Sequence, residues 1–278
     1  MNDIMDFSID RIRRLKKYEM QTDDFHDHYE MYYLISGERK YFVDHSICNV
    51  SPGDFILIDK HVLHKTTPIS GDVHERYLIS FGDKFLRRFV SDGSMIRSLL
   101  KCFGKVQITV PYEKRKLVED KLAEIMREYR LDDEYSSFAV FSLFAELMVI
   151  LNRISDTGEM SSMVLGKYEA NIQRVVDYLN TNFRDNITLA QAAEMAYTGS
   201  TYFSKKFKKC TGFGFSEYLT YLRINEASKM LVNTRESISE ISIACGFNNS
   251  SYFGDVFKKI KGVSPQRYRG MYYGSSDI

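Results

Sequence analysis

The 278-residue chain lacks most of the marks of an enzyme, a thiolate metal protein or a membrane protein. Its four cysteines, Cys48, Cys102, Cys210 and Cys245, lie far apart and form no CxxC pair. A clustered-thiolate zinc site or a disulfide framework is therefore not expected; reduced, buried thiols are. No Ser/His/Asp order, phosphate loop or zincin motif occurs, so no enzyme activity is expected. Residues 1–6 lack a basic region followed by an apolar run, so no signal peptide is expected. The most apolar stretch, residues 138–151, is too short to span a bilayer and contains Glu146. It reads as a buried or interface helix, no membrane partner is expected, and the expected location is the cytoplasm. A formal net charge of only +1 excludes nothing by itself.

What is present is a repeat. Tyr202-Phe203, Phe207-Lys208-Lys209 and Gly212 recur fifty residues later as Tyr252-Phe253, Phe257-Lys258-Lys259 and Gly262. Each copy reads as a short helix with aromatics at i, i+1 and i+5, a basic end and a closing glycine. A preceding short helix, residues 188–196 in one copy and 237–245 in the other, joins it through a turn containing Gly199 or Gly246. Helix, tight turn and basic-ended helix are the layout of a DNA-binding helix-turn-helix. Two copies predict a grip on two major-groove segments of double-stranded DNA. In the first copy the buried set is Tyr202 or Phe203, the stem of Lys206, and Phe207. Ser200, Thr201, Ser204, Lys205, Lys208 and Lys209 are left facing outward, and hydroxyl and basic groups reach base edges and phosphates. The charge distribution agrees: between Lys167 and Arg269 there are 15 Lys and Arg against 9 Asp and Glu, a net +6, so the remainder of the chain is acidic.

The N-terminal half has another character. Residues 31–35, 40–43, 55–58 and 74–81 read as short strands punctuated by Gly37 and by the Pro52-Gly53-Asp54 turn. Such spacing predicts a small antiparallel barrel or sandwich. Residues 83–89 and 94–100 predict short helices, 106–110 a further strand, and 112–130 and 136–154 two long helices. Those helices carry more apolar surface than a small barrel needs, so a homodimer contact within residues 113–154 is expected; covering the open side of the barrel is the alternative. The small polar run at 155–162 predicts an exposed linker.

The C-terminal hundred residues closely resemble the AraC/XylS family of bacterial transcription regulators. The resemblance rests on Ile187-Thr188-Leu189, the repeated aromatic–lysine units, Thr211-Gly212, Tyr218-Leu219, Arg223-Ile224, Ala227, Ile241 and Gly246-Phe247. Gly262-Val263-Ser264-Pro265-Gln266 with Tyr268-Arg269 completes it. It implies a recognition helix in each of two successive major-groove segments. Ser200, Thr201, Ser204 and Lys205 would then face bases from the first, and Ser250, Ser251, Gly254 and Asp255 from the second. Asp255 stands where relatives commonly carry a basic residue, which puts base reading by the second helix in doubt; Lys258 and Lys259 would still hold the DNA backbone. RNA polymerase is a candidate partner for an activator of this family.

Residues 20–80 resemble a cupin barrel, through His26, His28 and Glu30, Gly37, the Pro52-Gly53-Asp54 turn and His64. AraC-type regulators often carry such a barrel as effector sensor, which implies a pocket lined by His26, His28, Glu30, Tyr32, Tyr41 and His64. Tyrosines with a carboxylate would suit a carbohydrate. The histidines and Glu30 could hold a divalent metal, but the Glu lies closer to the second His than in metal-binding cupins. The expectation is therefore no metal and no cofactor, with His26 and His64 orienting loops or bonding a ligand hydroxyl. The expected fold is α+β and multidomain. A cupin-like effector-sensing and dimerisation barrel with helices spans 1–154, a linker 155–167, and an all-α domain with two helix-turn-helix units 168–278. The expected function is an effector-responsive transcription regulator. A ligand-independent dimeric regulator and a metal-dependent cupin enzyme fused to a DNA-binding module are the alternatives.

Overall fold

The computed structural model describes residues 6–14, 26–69, 73–157 and 167–272. The chain divides into two compact units, Met1–Leu165 and Gly166–Ile278. Most of the expected linker, residues 158–166, lies outside the described residues.

The first unit holds two antiparallel sheets. Strands β1 (Phe7–Arg14), β2 (Tyr29–Ser36), β5 (Asp54–Ile58), β7 (His74–Phe81) and β8 (Gln107–Thr109) form one, in the order β1-β7-β2-β5-β8. Strands β3 (Arg39–Val43), β4 (Ser46–Val50) and β6 (His64–Pro68) form the other, in the order β4-β3-β6. Side chains alternate between faces along each strand, and both faces of β2 are used. Tyr32 and Leu34 point to an interior cluster with Ile56 and Ile58 of β5, Tyr41 and Val43 of β3, and Cys48 and Val50 of β4. Met31 and Tyr33 point the other way, to a core shared with the helices. Burial on both faces explains why 29–36 reads as a continuous apolar run rather than an alternating one.

Helices α1 (Asp83–Phe89), α2 (Gly93–Leu99), α3 (Tyr112–Leu131) and α4 (Ser136–Asp156) follow the strands. Val118, Leu122 and Ile125 of α3 and Val140, Phe144, Leu147, Met148, Leu151 and Ile154 of α4 complete the outer core. At 21 residues, α4 is longer than the apolar run that marks it, and by length and composition it could cross a membrane, which corrects the sequence expectation. Its inward side is nonetheless buried against the sheet and α3. The Gly53 turn opens β5: its φ of 95° suits glycine, and a Cβ there would lie 2.4 Å from Arg115 Nε. Asp54 locks it by accepting bonds from the Ser51 amide at 2.8 Å, Gln107 at 3.0 Å and Thr109 at 2.6 Å.

Strand β1 was not expected from sequence. Its only apolar residues are Phe7, Ile9 and Ile12 among four charged groups, a weak pattern carried by an edge position beside β7. All four cysteines are free and buried, and burial pushes the Cys48 and Cys102 thiols up to about 12 and Cys245 to about 11.

The second unit is all helical: α5 (Lys167–Asn182), α6 (Leu189–Met195), α7 (Ser200–Thr211), α8 (Phe215–Asn233), α9 (Ile238–Ala244), α10 (Ser250–Lys261) and α11 (Pro265–Tyr272). The two repeat copies are α6–α7 and α9–α10. Each first helix opens with a capping box, Thr188 with Gln191 and Ser237 with Glu240, which satisfies amides otherwise left open at a helix start. Arg223 of α8 donates to the Phe183 and Asp185 carbonyls at 2.8 and 2.9 Å, and its guanidinium lies 5.8 Å from the Phe247 ring centroid. One side chain thus ties α8 to the α5–α6 connection and to the turn of the second copy.

Candidate nucleic-acid interface and interior chamber

Helices α7 and α10 each bury two phenylalanines. Phe203 and Phe207 pack tilted at 5.4 Å between ring centroids, Phe253 and Phe257 edge to face at 5.6 Å, and all four are fully inaccessible. Gly212 and Gly262 end the helices in the left-handed conformation, at φ 82° and 76°, with Lys208 and Lys258 carbonyls accepting their amides. Lys208, Lys209, Lys258 and Lys259 lie in the last turns, where cations oppose the helix dipole and stay exposed.

On α7, Thr201, Lys205 and Lys208 are exposed along one face, with Ser200 and Ser204 partly exposed beside them. On α10 the corresponding face carries Ser250, Ser251, Asp255 and Lys258, all exposed, and the partly buried Gly254. The expected outward faces are thus outward, and on each helix their residues lie together. Two details sharpen the sequence reading. Tyr202 is half exposed, with Lys206 Nζ 5.5 Å from its ring centroid, so the buried aromatic is Phe203 alone. The left-handed turn residue of the first copy is Tyr197, at φ 54°, whereas Gly199 is the N-cap of α7 with an ordinary φ of −78°. In the second copy the turn is made by Gly246, as expected, at φ 84°.

The interior between the two sheets of the first unit gathers the other candidates. Glu30 and Tyr32 share one face of β2, and Tyr41 and His64 face the same space from β3 and β6. The Tyr32 and Tyr41 rings meet edge to face at 4.8 Å. Both are buried, and burial raises Tyr32 to about 12 and Tyr41 well above its ordinary value, so both stay neutral. His26, just before β2, places Nε2 3.6 Å from Glu30 Oε2, and its ring lies 4.9 Å from that of His64. His28 stacks on His26 at 3.6 Å. Burial alone would raise the Glu30 carboxyl, but His26, His64 and Arg76 together outweigh it and lower the pKa, keeping a carboxylate inside the barrel.

Three polar residues of this interior were missed from sequence: Arg39, Thr66 and Arg76. Arg39 Nε donates to Thr66 Oγ1 at 3.2 Å, and Arg39 is 2 % exposed. Arg76 of β7 pairs with Leu34 of β2, and its guanidinium lies 5.4 Å from the Tyr32 ring centroid. Its Nη1 and the Tyr32 hydroxyl are buried with no hydrogen-bond partner among the described residues. Alternation along 74–81 puts Arg76 in phase with Leu78, but only the β2–β7 register shows which face that is. The chamber therefore offers a carboxylate, imidazoles, phenol hydroxyls and a guanidinium to a ligand bearing oxygens.

A barrel with a polar interior in one unit and two helix-turn-helix motifs in the other define a DNA-binding regulator with a ligand chamber. Comparison with known proteins agrees. Residues 12–162 match the AraC-like ligand binding domain, and residues 192–271 match a helix-turn-helix domain. The chain belongs to the AraC family of DNA-binding transcription regulators, whose ligand-binding domain accounts for more than half of it. It is 24% identical over 261 residues to the melibiose operon regulatory protein of Escherichia coli K12, covering 90% of this chain and 84% of that one. It is 32% identical over 100 residues to the bifunctional transcriptional activator/DNA repair enzyme AdaA of Bacillus subtilis, covering 36% of this chain and 47% of that protein. Among solved structures, ToxT of Vibrio cholerae aligns at 19% identity over 97% of this chain and all of that one, with a TM-score of 0.38.

Proposed function

We propose that this regulator reads its operator chiefly through α7, with Ser200, Thr201, Ser204 and Lys205 facing bases and Lys208 and Lys209 on phosphates. On α10, Ser250 and Ser251 approach the groove, Lys258 and Lys259 hold the backbone, and Asp255 limits base reading to positions where it can accept from cytosine N4. The observation that carries this reading is the contrast between the shared buried faces of the two helices and their outward faces, basic on α7 and interrupted by Asp255 on α10.

The effector enters the barrel, contacted by His26, His28, Glu30, Tyr32, Tyr41 and His64 and by Arg76, which the sequence alone did not single out. The melibiose operon protein is named for a sugar operon, and a chamber rich in hydroxyls with one carboxylate suits a polyhydroxylated ligand here as well. The domain boundaries follow the division of labour: 1–154 senses effector and dimerises, 155–167 links, 168–278 binds DNA. The outer faces of α3 and α4, with Leu117, Tyr129, Leu131, Phe138 and Val149 exposed, support a homodimer contact. Two copies would present four helix-turn-helix motifs to two half-sites in the cytoplasm, with RNA polymerase as the further partner and no catalysis in the barrel.

A binding titration against DNA from the protein's own upstream region, at two salt concentrations and with candidate sugars, tests the reading. Sequence-selective binding that a sugar alters is expected. Selective binding that no ligand alters would remove the sugar and leave the DNA reading intact; absence of selectivity would remove the assignment of α7.

A further inference from the structure

The chamber holds a set of groups arranged for more than hydrogen bonding. Among the described residues, one ligating atom from each of His26, Glu30 and His64 lies within 4.8 Å of the other two. Each imidazole is held by its far nitrogen. Nδ1 of His26 lies 2.8 Å from the His28 carbonyl and Nδ1 of His64 lies 2.9 Å from the Val62 carbonyl. A carbonyl only accepts, so both Nδ1 atoms carry a proton, and the neutral form of each ring leaves its Nε2 with the lone pair a metal needs. His26 Nε2 is the atom nearest Glu30, at 3.6 Å from Oε2. A histidine whose second nitrogen donates to a backbone carbonyl is oriented as metal-ligating histidines are. The ring of His28, stacked on that of His26 with 9° between planes, further holds the first imidazole in place.

We propose that the barrel binds one divalent first-row transition-metal ion through His26 Nε2, the Glu30 carboxylate and His64 Nε2. Two imidazoles and one carboxylate favour zinc, nickel or iron over magnesium or calcium, which prefer all-oxygen shells. Two ligands on bonds of about 2.1 Å at a tetrahedral angle sit roughly 3.4 Å apart, so the His26–Glu30 pair is nearly in place. The widest pair closes by about an ångström or slightly more, within reach of a side-chain rotation. Three protein ligands leave coordination positions open to a ligand oxygen. This inference rests on reading the barrel as the effector chamber, and it makes the ion part of what the effector meets.

The test uses the untagged full-length protein, stripped with a chelator and titrated by calorimetry with Ni²⁺, Co²⁺ or Zn²⁺ alone, with the Co²⁺ visible spectrum recorded in parallel. One ion per chain and a spectrum with nitrogen-ligand character are expected. Glu30→Gln and His26→Ala should each weaken binding by more than roughly 100-fold, beyond what loss of an outer-shell partner causes. His64 is fully buried, and His64→Ala can fail to fold; His26, at the edge of the cluster, provides the variant whose fold is checked by circular dichroism. No binding to the folded wild-type chain would overturn the proposal, as would binding that survives in both folded variants, since the ion would then sit elsewhere. Operator binding measured on the same samples separates the two readings: selective DNA binding without metal binding sinks the ion and leaves the regulator.

Discussion

The two helix-turn-helix copies share an interior and differ outside it. Phe203 and Phe207 in one copy match Phe253 and Phe257 in the other, residue for residue, and Gly212 matches Gly262 at nearly the same φ. Outside that interior the copies part. Ser204-Lys205 becomes Gly254-Asp255 on the exposed face, and the buried Thr211 becomes Lys261. The spacing also changes, since the first helices are offset by 49 residues and the second helices by 50, so the second turn is one residue longer. Packing constrains the phenylalanine positions to one solution, while the outward positions answer only to what they touch. Duplication therefore preserved a scaffold and released a surface.

The comparison can be broken most severely at the shared interior. Phe257→Ala and Phe207→Ala should each destabilise the domain by about 3–5 kcal/mol, read from denaturant midpoints. An unchanged midpoint for one alone would show that the copies are not equivalent in packing. The turns should respond unequally. A Cβ at Gly246 would lie 2.6 Å from the Arg184 carbonyl oxygen, so Gly246→Ala should cost more than about 1 kcal/mol. Tyr197 adopts the same left-handed conformation with a side chain, and Arg174 sits 4.9 Å from its ring centroid. Tyr197→Gly trades backbone strain for that lost contact and should shift stability by less than about 1 kcal/mol.

The outward faces are sharpened by binding rather than by melting. Lys205→Ala should weaken operator binding by about 1–3 kcal/mol and relax base choice at one position. Asp255→Ala should change affinity little or raise it slightly and equally on all sequences, because it removes a charge that repels phosphate. Equal losses of base choice from both variants would place sequence reading on both helices. A separate effect is a pH slope. Burial lowers the Lys261 amine to about 7, against an ordinary value of 10.5. Below about pH 7 the folded chain buries a charge. Above it the unfolded chain holds the extra proton, so stability should rise as pH is raised from 7 toward 10. Lys261→Thr, which restores the first copy's residue, should flatten that slope when melting is followed between pH 7 and 9.

How much of this was legible in sequence depended on how locally each feature is determined. The helix-turn-helix copies could be read because their signals lie within a few residues of one another: aromatic pairs at i and i+4, lysines in the last turn, glycines at the ends. The first turn does contain Gly199, which caps α7, but the left-handed residue in it is Tyr197, which no glycine marks in the sequence. In the barrel, 55–58 and 74–81 were recognisable as strands, but β1 was not, since pairing with β7 rather than its own pattern holds it. Glu30, Tyr32, Tyr41, His26 and His64 were picked out by type. Arg39, Thr66 and Arg76 were not, because only strand register says that they share that interior.

The four cysteines carry a last consequence. Each thiol is enclosed, and burial holds those of Cys48, Cys102 and Cys245 two to three units above their usual range, so almost none is thiolate at neutral pH. Peroxides and electrophiles attack thiolates that they can reach, and here they find neither condition met. In the folded chain, alkylation and oxidation of these thiols should therefore be slow, and a reagent that labels them reports unfolding rather than surface chemistry.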